Sequence, residues 1–428
     1  MSRYRKSEEW LSRAEVTIPL GSQTFSKSRT QYPVGISPLY LSQAKGARVW
    51  DLDGNKYIDL VSSLASITLG YRDRGQIHAI RRQLKKGISL SLPARLEVEL
   101  SEKLVEIIPS AEMVRFGKNG SDATSAAIRL ARAYSGKEIV LVCGYHGWQD
   151  WYIGATTRNK GVPQSVAELT KVFPYNNIAA FEELLNKYSG RVAAVIMEPM
   201  NLVFPEPGYL EGIKELTHKH NAILIFDETI TGFRFAPGGA QELFGVVPDL
   251  STFGKGMANG MPISAVVGRR EIMMEMEEIF FSGTFGGELL SLASANYTIS
   301  EVAKGNVTSR LAQIGSLLAN SIEQLIVKHN LRAVVNLSGH DSWKLLSWNE
   351  AEGATADEIR TLFLQEMYSR GILIIGSHNV NLAMTPRICH EIVSTYDQVF
   401  ELISRSLSAG NLKDLLRVRP NPTLFRIR

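Results

Sequence analysis

Between about residue 100 and residue 270, short apolar runs rich in β-branched residues alternate with amphipathic segments of helical length. Few folds accept that pattern other than a mainly parallel sheet covered by helices. The runs fall at residues 113–116, 139–143, 192–197, 222–226 and 263–267. Each is too short for a buried helix and is predicted as a core strand. Helices are predicted at 122–134, 178–188 and 209–219, the spacing that right-handed crossovers between parallel strands require.

The flanking segments read differently. Residues 47–60 (ARVWDLDGNKYIDL) predict two strands around a turn at Asp53, Gly54 and Asn55, which suits a small α+β lobe. Beyond about residue 310, two long helical stretches frame strand-like runs at 333–337 and 371–375, a tail able to rejoin the N-terminal lobe. With 428 residues, 44% of them hydrophobic and 21% charged, the chain can bury a large core. A single core stops growing at about 250–300 residues, so a large domain with a smaller companion is expected.

The formal net charge is only +4. Basic residues gather at the two ends, with Arg3, Arg5 and Lys6 at the start and Arg417, Arg419, Arg426 and Arg428 at the finish, without the interleaved aromatics of nucleic-acid modules. The two cysteines, Cys143 and Cys389, are far apart and lack the spacing of metal sites or redox dithiols. The opening residues hold no apolar core of a signal peptide, and no stretch reaches the ~18 apolar residues of a membrane span. No nucleic acid, no membrane and a cytoplasmic location are the expectations.

In an open α/β sheet, ligands bind where the strands end, so the residues just after each apolar run are the most informative. After the first run, GKNGSDAT at 117–124 opens a helix. Free N–H groups and the helix dipole favour a phosphate at Gly120, Ser121 and Asp122, although a turn with an N-cap explains the same residues. GYHGW at 144–148 offers Tyr145 as a stacking surface for a flat heteroaromatic ring; alternatively Tyr145 and Trp148 are core residues and His146 a satisfied histidine. The run at 222–226 ends in Asp227 and Glu228, and carboxylates that close to a buried strand need a partner. A protonated ring nitrogen fits, and so does an ion pair with Arg234.

Lys255 stands between two glycines in STFGKGM at 251–257. A lysine in a tight, partly desolvated loop can attack a carbonyl, whereas most lysines are solvated surface residues. SGTFGG at 282–287 is a Gly-rich loop with a hydroxyl, Thr284, within the chemistry of a phosphate site. Taken singly these places decide nothing. Taken in order they match pyridoxal 5′-phosphate, which has a phosphate, a flat ring, a basic ring nitrogen and an aldehyde that condenses with lysine.

With these residues in place, the sequence resembles the class III (subgroup II, fold type I) PLP-dependent aminotransferases, and most closely their glutamate-1-semialdehyde aminomutase-like branch. The likeness runs from about Gly46 to Ser294. It rests on WDLDGNKYID at 50–59, GSDA at 120–123, YHG at 145–147, MEP at 197–199, FDE at 226–228, TGFR at 231–234, Pro248 with Asp249, and Gly254 with Lys255. The resemblance implies that Lys255 holds the cofactor covalently, Asp227 bonds its ring nitrogen, and Tyr145 lies against the ring. Gly120 and Ser121, with the Asp122 amide, would take the phosphate, and His146, Glu198 and Ile230 would complete the surroundings. Thr284 would reach the neighbouring subunit's phosphate, which implies a homodimer. The implied architecture is an α/β fold type I transferase, with a large PLP domain over residues 65–310 and a small α+β domain made from 1–64 and 311–428. Lys255 and Asp227 are the implied catalytic pair: the anion keeps the ring nitrogen protonated, and the freed amine carries the substrate's proton.

The sequence departs from the aminomutase pattern at three places. Ser63-Leu-Ala-Ser-Ile67 replaces a Ser-Trp-Gly-like segment, the C-terminal segment GSHNVNL at 376–382 lacks the expected carboxylate, and Ile230 stands where many class III enzymes carry glutamine. GKNGSD at 117–122, WQDW at 148–151 and FRIR at 425–428 resemble a subgroup tied to bacterial surface-sugar or secondary-metabolite pathways. The expected activity is therefore amino transfer from an amino-acid donor such as glutamate to a carbonyl acceptor, a keto or aldehyde sugar or another hydroxylated carbonyl compound. An intramolecular aminomutase and a non-catalytic PLP-binding protein are the alternatives.

Overall fold

The computed structural model describes residues 3–420; Arg426, Arg428 and the 425–428 run lie outside the described residues. The described chain divides into two units, one formed by residues 3–73 and 310–420, the other by residues 74–309.

In the first unit, β1 (Leu41–Lys45), β2 (Arg48–Asp51) and β3 (Lys56–Asp59) form an antiparallel meander. The β2–β3 turn forms where the sequence predicts it. The Asp51 carboxylate accepts the Asn55 backbone N–H at 2.7 Å and its side-chain amide at 2.8 Å, and Gly54 takes a φ of +89° that a side chain would resist.

The second unit is built on β4 (Met113–Gly117), β5 (Ile139–Cys143), β6 (Thr170–Val172), β7 (Val192–Met197), β8 (Ile223–Asp227), β9 (Leu250–Phe253) and β10 (Ser264–Gly268). They lie in the order β4-β10-β9-β8-β7-β5-β6. All neighbours run parallel except β10, which is antiparallel to both β4 and β9. The apolar runs are continuous because both faces of the sheet are covered. Val140, Val142, Ala194 and Ile196 pack with Ala127, Leu130 and Ala131 of the helix Gly120–Ser135. Their alternates Leu141, Val195 and Met197 pack with Phe181, Leu185 and Ile213 from the helices Ile178–Lys187 and Tyr209–Lys219. The two-residue period of the strands thus sorts one apolar run onto two cores.

Two strands of this sheet escaped the sequence pattern. β6 is a three-residue edge. β9 carries Ser251 and Thr252 in its middle, both fully buried. Their hydroxyls bond Ser110 Oγ at 3.0 Å and Asp227 Oδ1 at 3.1 Å respectively, which removes the penalty that polar residues otherwise bring to a core strand.

The chain then returns to the first unit with β11 (Val335–His340), β12 (Trp343–Trp348), β13 (Ile372–Leu373) and β14 (Ser377–Asn379). β11, β12 and β14 form an antiparallel sheet, and β13 pairs in parallel with β3, so the two chain ends share one sheet. After β3 the backbone makes a left-handed turn: Ser62, Ser63, Leu64 and Ala65 have φ of +45°, +49°, +60° and +66°. Consecutive left-handed residues without glycine are costly, and this turn is tied from both sides. The Asp59 carboxylate accepts the Val61 N–H at 2.7 Å and the Ser62 N–H at 3.1 Å. Ser62 Oγ donates to the Asn379 carbonyl at 2.6 Å, Asn379 Nδ2 donates to the Val61 carbonyl at 2.7 Å, and Asn381 Nδ2 donates to Ser62 Oγ at 3.1 Å.

His378, beside that turn, is 2% exposed, with Nε2 2.7 Å from the Tyr396 hydroxyl. Burial depresses its pKa to about 4. A base whose folded pKa lies below its unfolded value contributes stability above the unfolded pKa, lost as pH falls through the folded one. Unfolding measured by denaturant at a series of pH values is expected to lose roughly 3 kcal/mol between pH 6.5 and 4 through this group. In His378→Gln that part of the slope should vanish.

Candidate functional site

The carboxyl ends of β5, β7, β8 and β9 bring most of the singled-out residues together. β8 is central, and its last residue, Asp227, is 5% exposed. Asp227 Oδ2 lies 2.9 Å from His146 Nδ1, while Oδ1 accepts the Thr229 N–H and the Thr252 hydroxyl, each at 3.1 Å. The Thr229 hydroxyl faces the same carboxylate but makes no hydrogen bond of normal geometry. Burial pushes the Asp227 pKa up, yet the hydrogen bonds and the charge of His146 outweigh it, and the carboxyl stays below its ordinary value. Asp227 therefore remains an anion in the interior.

His146 is 1% exposed and its other nitrogen lies 3.2 Å from the Cys143 carbonyl, so both ring nitrogens face acceptors. Its own carbonyl accepts the Thr124 hydroxyl at 2.7 Å, which ties the 144–148 loop to the first turn of the helix Gly120–Ser135. In this loop His146 is a satisfied histidine, whereas Tyr145 and Trp148 are 50% and 69% exposed and belong to no core. Glu198, at the end of β7, accepts the Tyr145 N–H at 3.0 Å and Asn201 Nδ2 at 2.6 Å, and burial raises its pKa. Gly144 makes this possible: its φ is +108°, and a Cβ there would stand 2.4 Å from Glu198 Oε2.

The second strand-end carboxylate has another task. Glu228 is fully buried and accepts the N–H groups of Ala240 and Gln241, both at 2.8 Å, together with the Thr231 hydroxyl. It caps the helix Ala240–Phe244. Burial raises its pKa.

Lys255 follows β9 as the first residue of the turn Lys255–Ala258, with a φ of +40°. Burial lowers the pKa of its amine; Glu198 and Asp227 pull it upward, and Arg234 adds to the lowering. Among the described residues its Nζ has no hydrogen-bond or ion-pair partner. Ile230 is half-buried in the loop after Asp227.

At the helix start, Asp122 turns its carboxylate back onto the Asn119 N–H at 2.7 Å and the Lys118 N–H at 3.1 Å, and its own N–H bonds the Asn119 carbonyl at 2.9 Å. The expected donor role of the Asp122 amide is thus already committed locally, which leaves the N–H groups of Gly120 and Ser121 as the first-turn donors. The space above them is tight: a Cβ on Gly120 would stand 3.0 Å from Thr229 Cγ2, and one on Gly147 would stand 2.5 Å from Ser121 Cβ. Gln149 Oε1, nearby, is buried without a partner. Thr284 is exposed and lines a cavity of about 430 Å³ with Gly117, Lys118, Asp122 and Gln149.

Free amide donors at a helix start, a half-exposed aromatic, a buried anion at the strand end and an unpaired amine together fit pyridoxal phosphate. The family model described as Aminotransferase class-III matches residues 31–407, and the chain belongs to that family, whose members are PLP-dependent enzymes of fold type I. Among its relatives, a glutamate-1-semialdehyde 2,1-aminomutase of Persephonella marina is 40% identical over 324 residues, 72% of this chain and 76% of that one. Another, from Aquifex aeolicus, is 34% identical over 395 residues, 86% of this chain and 92% of that one. Of solved structures, the FumI protein of Sphingopyxis sp. MTA144, determined with PLP, is similar with a TM-score of 0.89 at 26% identity, covering 98% of this chain and 99% of that one. An omega-transaminase from Sphaerobacter thermophilus gives a TM-score of 0.84 at 26% identity, covering 95% and 100%.

Sequence reasoning missed Thr252 and Thr124 as supports of the site. Thr252 sits in an unrecognised strand, and Thr124 looks like an ordinary helix residue until the loop it holds is seen. Replacing Gly144 by alanine tests the packing directly: thermal unfolding of Gly144→Ala is expected to show a loss of about 1–3 kcal/mol, with weaker PLP retention in a visible-absorbance titration, because Glu198 must move.

Proposed function

We propose that the protein moves an amino group from an amino-acid donor, glutamate being the one favoured, to the carbonyl carbon of a separate small molecule. The observation that supports it most is the Asp227 carboxylate, buried, bonded to His146 and still anionic, on the strand beside the turn that carries the unpaired Lys255 amine. When bound, PLP supplies an aldehyde for attachment and a ring that takes up electrons. Asp227 would hold a proton on the ring nitrogen, and His146 would keep the carboxylate aimed. Lys255 would attach the cofactor and, once freed by substrate, would accept and return a proton at Nζ; the lowered pKa keeps more of that amine unprotonated near neutral pH. The exposed ring of Tyr145 would support the cofactor's face, with Glu198 holding its backbone from below. Gly120 and Ser121 would bind the phosphate through their N–H groups, and Ile230 would border the ring. Thr284, exposed on its loop, would complete the phosphate site of a second copy in a homodimer.

Borohydride reduction of the yellow protein followed by peptide mapping should place the label on Lys255, and Lys255→Ala should lose the covalent link while binding PLP more weakly. A label on another lysine rejects the assignment.

The second reading, an intramolecular aminomutase, is favoured by the names of the relatives. Against it stands the left-handed turn at 62–65. Two segments depart from the aminomutase pattern, 63–67 and 376–382, and the second is hydrogen-bonded to Val61 and Ser62, the residues directly before the first. They depart together, as a pocket remade for a different acceptor would. Hydroxylated carbonyl compounds, sugars among them, are the acceptors we favour. The protein should convert to its aminated-cofactor form with glutamate and regain the aldehyde spectrum with a keto or aldehyde sugar. Turnover of a single amino aldehyde substrate with no second compound would favour the aminomutase instead.

A further inference from the structure

We propose that Gln76 is a positioning residue for Lys255, its buried side-chain amide clamping the far end of the turn that presents the amine. This rests on the reading of Lys255 as the point of cofactor attachment.

The turn Lys255–Ala258 begins and ends in strained backbone: Lys255 has a φ of +40° and Asn259, which closes it, a φ of +45°. Neither residue is glycine, so the surroundings must impose the conformation. At the far end of the turn one amide group contributes to that restraint. Gln76 Nε2 donates to the Asn259 carbonyl at 2.9 Å and to the Ala258 carbonyl at 3.2 Å, and lies 2.8 Å from Ser294 Oγ. Its Oε1 accepts Asn259 Nδ2 at 2.8 Å. The Ser294 hydroxyl donates to the Ala258 carbonyl at 2.8 Å. Both ends of one side chain therefore fix both the main chain and the side chain of the turn's last residues.

The clamp is rigid because its own anchors are. Gln76, Asn259 and Ser294 are 6%, 3% and 0% exposed. Gln76 projects from the helix Arg74–Leu84 and Ser294 from the helix Leu289–Ala303. These helices approach so closely beside the clamp that a Cβ on Gly75 would stand 2.1 Å from the Tyr297 hydroxyl. The three clamp residues are neutral. The charges that act on Lys255 come from Glu198, Asp227 and Arg234. Gln76 thus acts on where the amine stands within that field, through Ala258, Asn259 and Ser294.

Gln76→Leu keeps the side chain's size and removes all of its hydrogen bonds. The test mixes the cofactor-free protein with PLP and follows, from pH 6 to 10, the rate at which the yellow covalent form appears. In the variant the rate at neutral pH is expected to fall on the order of tenfold, and its pH midpoint to move up by about one unit, as the amine leaves its desolvated position and behaves as an ordinary lysine. A variant with a lower melting temperature but an unchanged rate and midpoint overturns the proposal. Should Gln76→Leu fail to fold, Ser294→Ala, which removes one donor to Ala258 and one acceptor for Gln76, must show a smaller shift in the same direction; an unmoved midpoint there also overturns it. Borohydride mapping of the wild-type protein separates the two ideas. A label away from Lys255 defeats the attachment reading, while a label on Lys255 with an unmoved variant profile defeats the clamp alone.

Discussion

A carboxylate at the buried end of a central strand must be solvated by the protein itself or give up its charge. Asp227 keeps its charge because His146, the Thr229 amide and the Thr252 hydroxyl all direct hydrogens toward it. The rest of the site is arranged around that requirement. His146 is held by the Cys143 carbonyl at the end of β5, its loop is tied to the helix Gly120–Ser135 through Thr124, and Thr252 belongs to the strand that leads into Lys255. One interior charge thus links four elements whose ends would otherwise be independent.

Three buried carboxylates lie within a few residues of the same strand ends, and their environments separate them. Asp227 is held below its ordinary pKa, while burial lifts Glu198 and Glu228 above theirs. Glu228 faces amide donors at a helix start and is part of the scaffold. Glu198 supports the backbone of the half-exposed aromatic Tyr145. Only Asp227 combines ionisation with a place on the side where a cationic ring nitrogen would be welcome. Environment rather than residue type sets the ionised carboxylate apart from the two that support the scaffold.

Much of this was legible in the sequence because the large unit obeys simple periodicity. Strands β5 and β7 and the helix Tyr209–Lys219 fall where their apolar patterns put them, since both faces of the sheet are covered and each run must be apolar throughout. β9 was hidden because its buried serine and threonine are satisfied by partners distant in the chain, which local pattern cannot reveal. Asp227 and Lys255 stand out as candidates by motif and position, but the hydrogen bonds of Gln76 to the residues after Lys255 do not: Gln76, Asn259 and Ser294 are far apart in sequence and ordinary in type. The local commitment of the Asp122 amide was equally invisible, because it depends on how the chain turns before the helix.

The pairing of β3 with β13 carries a consequence for biogenesis. Ile58 is in register with Ile372, so the β2–β3 hairpin lacks its edge partner until the chain has been synthesised as far as β13. The intervening residues 74–309, with their short crossovers, have every strand of their own sheet available much earlier. Vectorial synthesis therefore favours completion of the seven-stranded sheet first. The β2–β3 hairpin waits meanwhile with β3 as an open edge, a template for pairing with other chains until β13 covers it.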